Sequence, residues 1–228
     1  MLYENLVYED DSAYVFVNEL DSSQNQVIVK FKNPKNSENR FTTSYPKSII
    51  SQISKVKTPA WLEDEINGEE SEVYLKLVLK ISILSYLKHE CFTNKLILDF
   101  GSGSGSSTII LSKLFPDSEI IGIEMVDEFI KIAEEKIKFL GLKNVKFIKS
   151  ESPEYLPKNI KSPDFIVMSR VYEHLLPKER EGIFLEIWNL LKTGGVLFII
   201  ETPYSLYPIE FHTTQGLPLI NYLPDNLA

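Results

Sequence analysis

The residues of this chain whose types and spacing can do chemistry fall into three groups. The first is Ile97-Leu98-Asp99-Phe100-Gly101-Ser102-Gly103-Ser104-Gly105-Ser106-Ser107-Thr108, an apolar strand running into a turn with glycine at every second position. Glycine has no Cβ and accepts positive φ, so such a turn lets the backbone lie directly against a ligand. The second is Glu124, which closes the next apolar run 19 residues after Gly105. Placed on the neighbouring strand, that carboxylate faces the turn across a crevice and can accept hydrogen bonds from two ribose hydroxyls. The third is Glu173-His174 with the later His212, an acid and two imidazoles suited to moving a proton.

The glycine spacing separates two kinds of ligand. A dinucleotide fold asks for G-x-G-x-x-G, with its third glycine where helix and strand pack closely. Counting from Gly101 and Gly103, that place holds Ser106, and the spacing is G-x-G-x-G instead. A pyrophosphate site is therefore disfavoured. The remaining reactive side chains read as structural. His89 sits at the end of a helical segment, where a cation is favourable. Cys91 is the only cysteine, so it has no disulfide partner within the chain and reads as a small apolar residue near a helix end.

The elements that must position these groups are legible from pattern. Leu96–Phe100, Ile120–Glu124, Val145–Ile148, Asp164–Met168 and Val196–Ile200 are short, nearly continuous apolar runs, the mark of parallel strands buried on both faces. Helices over Ser107–Leu114, Asp127–Leu140 and Lys178–Leu191 alternate with them, the second stopped by Gly141 and the third by Gly194-Gly195. Strand–helix alternation through short loops predicts an α/β fold, a doubly wound parallel sheet with helices on both faces. Upstream, residues 71–90 predict a helix with Val73, Leu77, Ile81 and Leu84 on its apolar face. Tyr14–Val17 and Gln26–Phe31 predict two strands, and Asn33–Asn39 a solvated loop. The chain thus divides into a β-containing N-terminal extension with its linker, residues 1–70, and an α/β domain, residues 71–228.

Taken in order, these segments resemble the class I S-adenosylmethionine-dependent methyltransferases over about residues 71–203. The resemblance is carried by Leu98–Gly105 with Glu124, by Phe147–Ser152 through Leu156-Pro157, by Asp164–Leu175, and by Leu190–Leu197. It implies S-adenosylmethionine as cofactor and a Rossmann-like sheet. Gly101, Ser102, Gly103 and Gly105 would lie against its methionine and ribose parts, and Asp99 would orient the loop or meet the amino group through water. Glu124 would hold the ribose and Met125 pack on the adenine, whose amino group would meet Glu151, with the Ser152 N–H near the ring. Ser169 and Arg170 would line the methyl-donor pocket, where an arginine is unusual because a cation beside a sulfonium is unfavourable unless it turns elsewhere. The family usually adds two more strands after the fifth. Only 28 residues follow Ile200, so the sheet is expected to lack them and the chain to be a truncated form or fragment.

The sulfonium is already activated, so the protein has mainly to align the acceptor and exclude water. Glu173, His174 and His212 are the candidate catalytic residues. They read as lining, as a general base with Glu173 orienting His174, or as a Glu/His/His metal site resembling that of small-RNA 3′-terminal 2′-O-methyltransferases. That pattern has an acid three residues before the Glu-His pair, where this chain has Arg170, so no metal is expected. The Pro- and aromatic-rich tail, residues 201–224, reads as a lid or as a packed surface loop.

Composition bounds the acceptor. Twenty-four basic and 32 acidic side chains leave a net charge of −8, with no basic stretch, which disfavours a nucleic-acid partner. No apolar run approaches the roughly 20 residues of a membrane helix, and the N-terminus has no leader pattern; a cytoplasmic protein is expected. The expected function is methyl transfer to a small-molecule or glycan-precursor acceptor. Its rivals are a cofactor-binding module without catalysis, a metal-assisted RNA methyltransferase and an NAD-dependent oxidoreductase.

Overall fold

The computed structural model describes residues 5–33, 38–70, 75–152, 155–158, 160–202, 209–210 and 217–218. Its centre is a five-stranded, all-parallel sheet built from β5 (Leu96–Phe100), β6 (Glu119–Glu124), β7 (Val145–Lys149), β8 (Phe165–Ser169) and β9 (Val196–Ile200). The spatial order is β7-β6-β5-β8-β9, so the chain reverses direction across the sheet between β5 and β8. Adjacent strand ends diverge at that switch point, and a crevice opens beyond their carboxyl ends.

Alternation along each strand sorts the core into two layers. Ile97, Ile120, Phe165 and Val167 face one side and pack with Leu79, Ile83, Ile110 and Leu111, which belong to α3 (Leu75–Leu84) and α4 (Ser106–Leu114). Leu98, Ile121, Ile123, Ile166 and Met168 face the other and pack with Ile183 and Ile187 of α6 (Pro177–Leu190). Between β6 and β7 lies α5 (Asp127–Phe139). It ends with both bonds of a Schellman motif, Gly141 N to Lys138 O at 3.3 Å and Leu142 N to Ile137 O at 3.0 Å, around Gly141 at φ 67°.

The helix before β5 differs from expectation. Residues 71–74 lie outside the described residues, and α3 buries Leu79 and Ile83 while Leu77 and Ile81 stand half exposed. The segment LKLVLKISIL is apolar nearly all round, so periodicity offers two competing faces and only packing on the sheet decides. The predicted helix also stops early: His89–Phe92 is a separate 3₁₀ turn with Cys91 exposed. His89, expected at the end of its own helix, instead places Nε2 2.8 Å from the carbonyl of Leu114, at the end of α4.

The N-terminal part is larger and more ordered than two strands. It is a four-stranded antiparallel sheet in the order β1 (Leu6–Glu9), β2 (Ala13–Glu19), β3 (Asn25–Phe31), β4 (Glu38–Thr43), followed by α1 (Lys47–Lys57), a 3₁₀ turn at Pro59–Trp61 and α2 (Leu62–Glu70). Glu38 and Asn39, expected in a loop, pair with Lys30 and Val29. Val15, Val17, Val27 and Phe41 of the sheet pack on Ile49, Ile50, Ile53, Leu62 and Ile66 of the helices, and the same cluster takes in Ile132 of α5. The C-terminal region contributes β10 (Ile209–Glu210) and β11 (Leu217–Pro218), an antiparallel pair separate from the main sheet. No described helix is long and apolar enough to cross a membrane.

Candidate cofactor site

The glycine turn leaves β5 at Phe100 and enters α4 at Ser106, with Gly101, Gly103 and Gly105 at φ 71°, 54° and 92°. Gly101 N and Ser102 N both donate to the Ile123 carbonyl at 2.9 Å, pinning the turn to β6. Two of the glycines are required twice over, by dihedral and by space. A Cβ on Gly101 would stand 2.6 Å from Val171 Cγ2, and one on Gly105 would stand 2.9 Å from Ala133 Cβ. Ser102 Oγ is buried without a hydrogen-bond partner among the described residues.

Asp99 lies beneath the turn, 1% exposed. Its Oδ2 accepts the Ser107 and Thr108 hydroxyls, each at 2.6 Å, so it fixes the first turn of α4. Burial pushes its carboxyl up to about 6, with the charge of Glu124 adding to the rise against the two hydroxyls.

Glu124 ends β6 facing the turn. Its Oε2 accepts Gly103 N at 2.8 Å, and its Oε1 accepts Met125 N at 2.7 Å and Val126 N at 3.0 Å. A carboxylate offers about four lone-pair directions, so one remains on Oε2 beside Gly103. Met125 stands 42% exposed on the same rim. After β7, the Ser150 hydroxyl donates to the Ser152 and Tyr155 carbonyls at 2.8 and 2.9 Å, shaping the loop on which Glu151 is exposed and Ser152 half-buried.

The other wall is made by the ends of β8 and β9. Arg170 and Glu201 both have left-handed backbones, φ 56° and 59°, which bulky side chains adopt at a cost of roughly 1–3 kcal/mol. They are joined in a bidentate pair, Nε to Oε2 at 2.9 Å and an outer guanidinium nitrogen to Oε1 at 3.0 Å. Ser169 Oγ approaches Glu201 at 3.4 Å. Arg170 thus turns its charge onto Glu201, which answers the objection that sequence raised to an arginine at this place. Glu173 and His174 lie in a 3₁₀ turn just beyond (Tyr172–His174). Glu173 Oε2 accepts Thr202 Oγ1 at 3.5 Å, while its Oε1 is buried and unpartnered among the described residues; His174 is exposed. His212 lies outside the described residues, as does most of the tail. Among the described residues no three His, Cys, Asp or Glu side chains gather as a metal would require.

One set of side chains at this site escaped sequence reasoning. The Ser104 hydroxyl donates to Glu65 Oε1 and Ser106 Oγ to Glu69 Oε1 at 2.5 Å, both acceptors lying on α2. Lys136 Nζ of α5 bridges the same two carboxylates at 3.0 and 2.5 Å, and Tyr45 OH donates to Glu69 Oε2 at 2.6 Å. Lys57 Nζ lies 3.6 Å from Glu65 Oε2 and 3.9 Å from where a Cβ on Gly103 would stand. The available signal was the four-residue spacing of Glu65 and Glu69, and of Ile132 and Lys136, which puts each pair on one helix face. By contrast, a groove of about 430 Å³ lined by Lys95, Asp164 and Lys192 lies at the amino ends of the strands, away from the crevice.

A family model described as a methyltransferase domain matches residues 92–218. The carboxy-S-adenosyl-L-methionine synthase of Nautilia profundicola is 31% identical over 105 residues, covering 46% of this chain and 43% of that protein. The demethylmenaquinone methyltransferase of Lactococcus lactis is 27% identical over 140 residues, covering 56% of this chain and 54% of that protein. The solved YcgJ protein of Bacillus subtilis superposes with a TM-score of 0.46 at 24% identity, over 55% of this chain and 50% of that one. The chain spans about half the length of these curated relatives.

Proposed function

Because the chain belongs to the methyltransferase-domain family, we propose that it transfers a methyl group from S-adenosylmethionine to a small-molecule acceptor, glycan precursors included. The observation that carries the choice of cofactor is the chemistry around the start of α4. A dinucleotide places its pyrophosphate at this helix N-terminus, where backbone N–H groups and the helix dipole favour an anion. Here the Ser104 and Ser106 hydroxyls are already donated to Glu65 and Glu69. Lys136 and Lys57 offset the charge of those two carboxylates, but the two hydroxyls are no longer free to donate to a pyrophosphate. A ligand without phosphate groups does not need them. The glycine turn, held open by backbone that tolerates no Cβ at Gly101 or Gly105, and the free lone pair of Glu124 fit the same ligand.

Bound there, S-adenosylmethionine supplies a methyl group already activated by its sulfonium. The chain's own work is placement. Gly101, Ser102, Gly103 and Gly105 lie along the methionine and ribose parts, Glu124 accepts a ribose hydroxyl, and Met125 covers the adenine, with Glu151 and Ser152 at its edge. Ser169 and Arg170 line the mouth, Arg170 neutralised by Glu201. The candidates for taking a proton from an O–H or N–H nucleophile are His174, oriented by Glu173, and His212. The small-molecule assignment is supported by a relative whose name makes demethylmenaquinone its substrate and by the net charge of −8.

Calorimetric titration with S-adenosylmethionine, S-adenosylhomocysteine and NADH tests the reading, with Glu124→Ala alongside. Hydrogen bonds to a charged group contribute about 1.5–3 kcal/mol. The variant is therefore expected to bind the first two ligands roughly 10- to 100-fold more weakly. Saturable binding of NADH in place of the other two overturns the proposal.

A further inference from the structure

The geometry points to Glu65, a residue of the N-terminal unit, as a positioning residue that holds the glycine turn in its ligand-ready shape through Ser104. This rests on the cofactor reading above and extends it to a part of the chain, residues 5–70, that the family match does not reach.

Three observations lead there. First, the contact is at the turn itself. Ser104 stands between Gly103, whose N–H is held by Glu124, and Gly105, whose backbone is left-handed. Its side chain is buried at 2% exposure and its hydroxyl is spent on Glu65. Second, the acceptor is held on both of its oxygens. Glu65 is bonded by Lys136 Nζ at 3.0 Å, with side-chain exposures of 11% and 0%, and Lys57 closes on its other oxygen. Burial works against the Glu65 charge, yet Lys136 and then Lys57 outweigh it and hold the carboxyl down at about 2, so the acceptor stays ionised. Third, the same unit covers the outer side of the turn. Lys57 Nζ lies against Gly103 and 4.7 Å from the centre of the Phe129 ring in the first turn of α5.

A turn with three glycines has more backbone freedom to lose than a glycine-free segment of its length. Whatever fixes it before the ligand arrives lowers the cost of binding. The inner side of the turn must stay open to the ligand, so the anchor has to come from outside the crevice. The face of α2 that carries Glu65 and Glu69 is placed to provide it. Coupling of this kind is reciprocal: if a docked α2 favours the bound turn, the bound ligand must favour a docked α2 by the same factor.

The test is titration of the full chain with S-adenosylhomocysteine in Ser104→Ala, Glu65→Met and the double variant. Amide hydrogen exchange is followed over Leu62–Glu70 with and without ligand. Glu65→Met leaves the Lys136–Glu69 pair in place; should it fail to fold, Ser104→Ala and the exchange measurement decide alone. The expected result is about tenfold weaker binding in each single variant and no further loss in the double. Exchange in α2 slows on ligand addition in the wild type and not in Ser104→Ala, a response that a merely structural contact would not give. Wild-type binding with single variants within twofold of it, losses that multiply in the double, or ligand-independent exchange in α2 overturns the inference while leaving the cofactor reading intact. Absence of wild-type binding overturns the cofactor reading, and the inference with it.

Discussion

Asp99, one residue before the end of β5, and Glu124, at the end of β6, have opposite surroundings. Glu124 is half exposed and bonded by three backbone N–H groups. Asp99 is sealed beneath the turn, and burial lifts its carboxyl from 3.8 to about 6. A folded-state value above the unfolded one means that the folded protein holds a proton the unfolded chain has released between those two pH values. Stability contributed by Asp99 therefore falls as pH rises through that window, and the full penalty stands above it. A rise of this size corresponds to about 3 kcal/mol. Asp99→Asn removes the titration while keeping an acceptor for Ser107 and Thr108. The stability difference between variant and wild type is expected to grow in the variant's favour by up to about 3 kcal/mol from pH 4 to pH 7, read from urea unfolding at each pH. Any offset from the altered hydrogen bonds is independent of pH, so the slope isolates the buried charge. A flat difference would show that Asp99 carries no such penalty.

Elements were legible in the sequence where both faces are buried or where turn chemistry is explicit. β5, β6, β8 and β9 were predicted to within a residue because a parallel strand between two helix layers has to be apolar throughout, and α5 because Gly141 ends it. Fold class and the positions of the glycine turn and Glu124 followed from those elements alone. The elements that escaped notice have one-sided or weak patterns. In β4, ENRFTT, only Phe41 and Thr43 point inward. α1 carries Ile49, Ile50 and Ile53 behind a proline, and α2 is an acidic helix whose buried Glu69 reads as solvent-facing until Lys136 is placed beside it. The Glu65–Ser104 contact was illegible for the same reason: it joins residues 39 apart on elements whose packing sequence alone does not set. α3 was recognised as a helix, and Leu84 of its predicted face packs against the core, but Leu77 and Ile81 of that face stand outward, and that correction is testable. Leu79→Ala or Ile83→Ala, each fully buried, is expected to cost about 2–5 kcal/mol. Leu77→Ala and Ile81→Ala, at 50% and 57% exposure, should cost well under half of that. Equal losses by thermal or denaturant unfolding would restore the face predicted from periodicity.

At the scale of the molecule, the N-terminal unit has its own hydrophobic cluster, and α5 ties it to the α/β part. Ile132 of α5 belongs to the N-terminal hydrophobic cluster, and Lys136, one turn further along the same helix, is buried with the α2 carboxylates. Burial opposes the Lys136 charge, but Glu69 and Glu65 outweigh it and keep the ammonium ionised. Glu69 itself is pushed up by burial, and by the charge of Glu65, against the pull of Lys136. The cluster is therefore balanced only while the lysine is present. Removing one partner of a buried pair leaves an uncompensated charge and typically costs about 3–5 kcal/mol, whereas replacing the whole set by apolar side chains of similar volume is often neutral or better. Lys136→Met is accordingly expected to destabilise the protein by about 3–5 kcal/mol. The triple variant Lys136→Met, Glu65→Met, Glu69→Leu should recover only part of that loss, because the Tyr45, Ser104 and Ser106 hydroxyls then lack acceptors. Because the cluster straddles both parts, the wild type should unfold in one transition followed identically by fluorescence and by far-ultraviolet circular dichroism. The triple variant would separate stability from function, regaining part of its unfolding midpoint while its glycine turn, deprived of Glu65, still binds S-adenosylhomocysteine weakly. Two resolved transitions in the wild type, or a Lys136→Met variant as stable as the parent, would mean that the N-terminal unit is held by its apolar contacts alone.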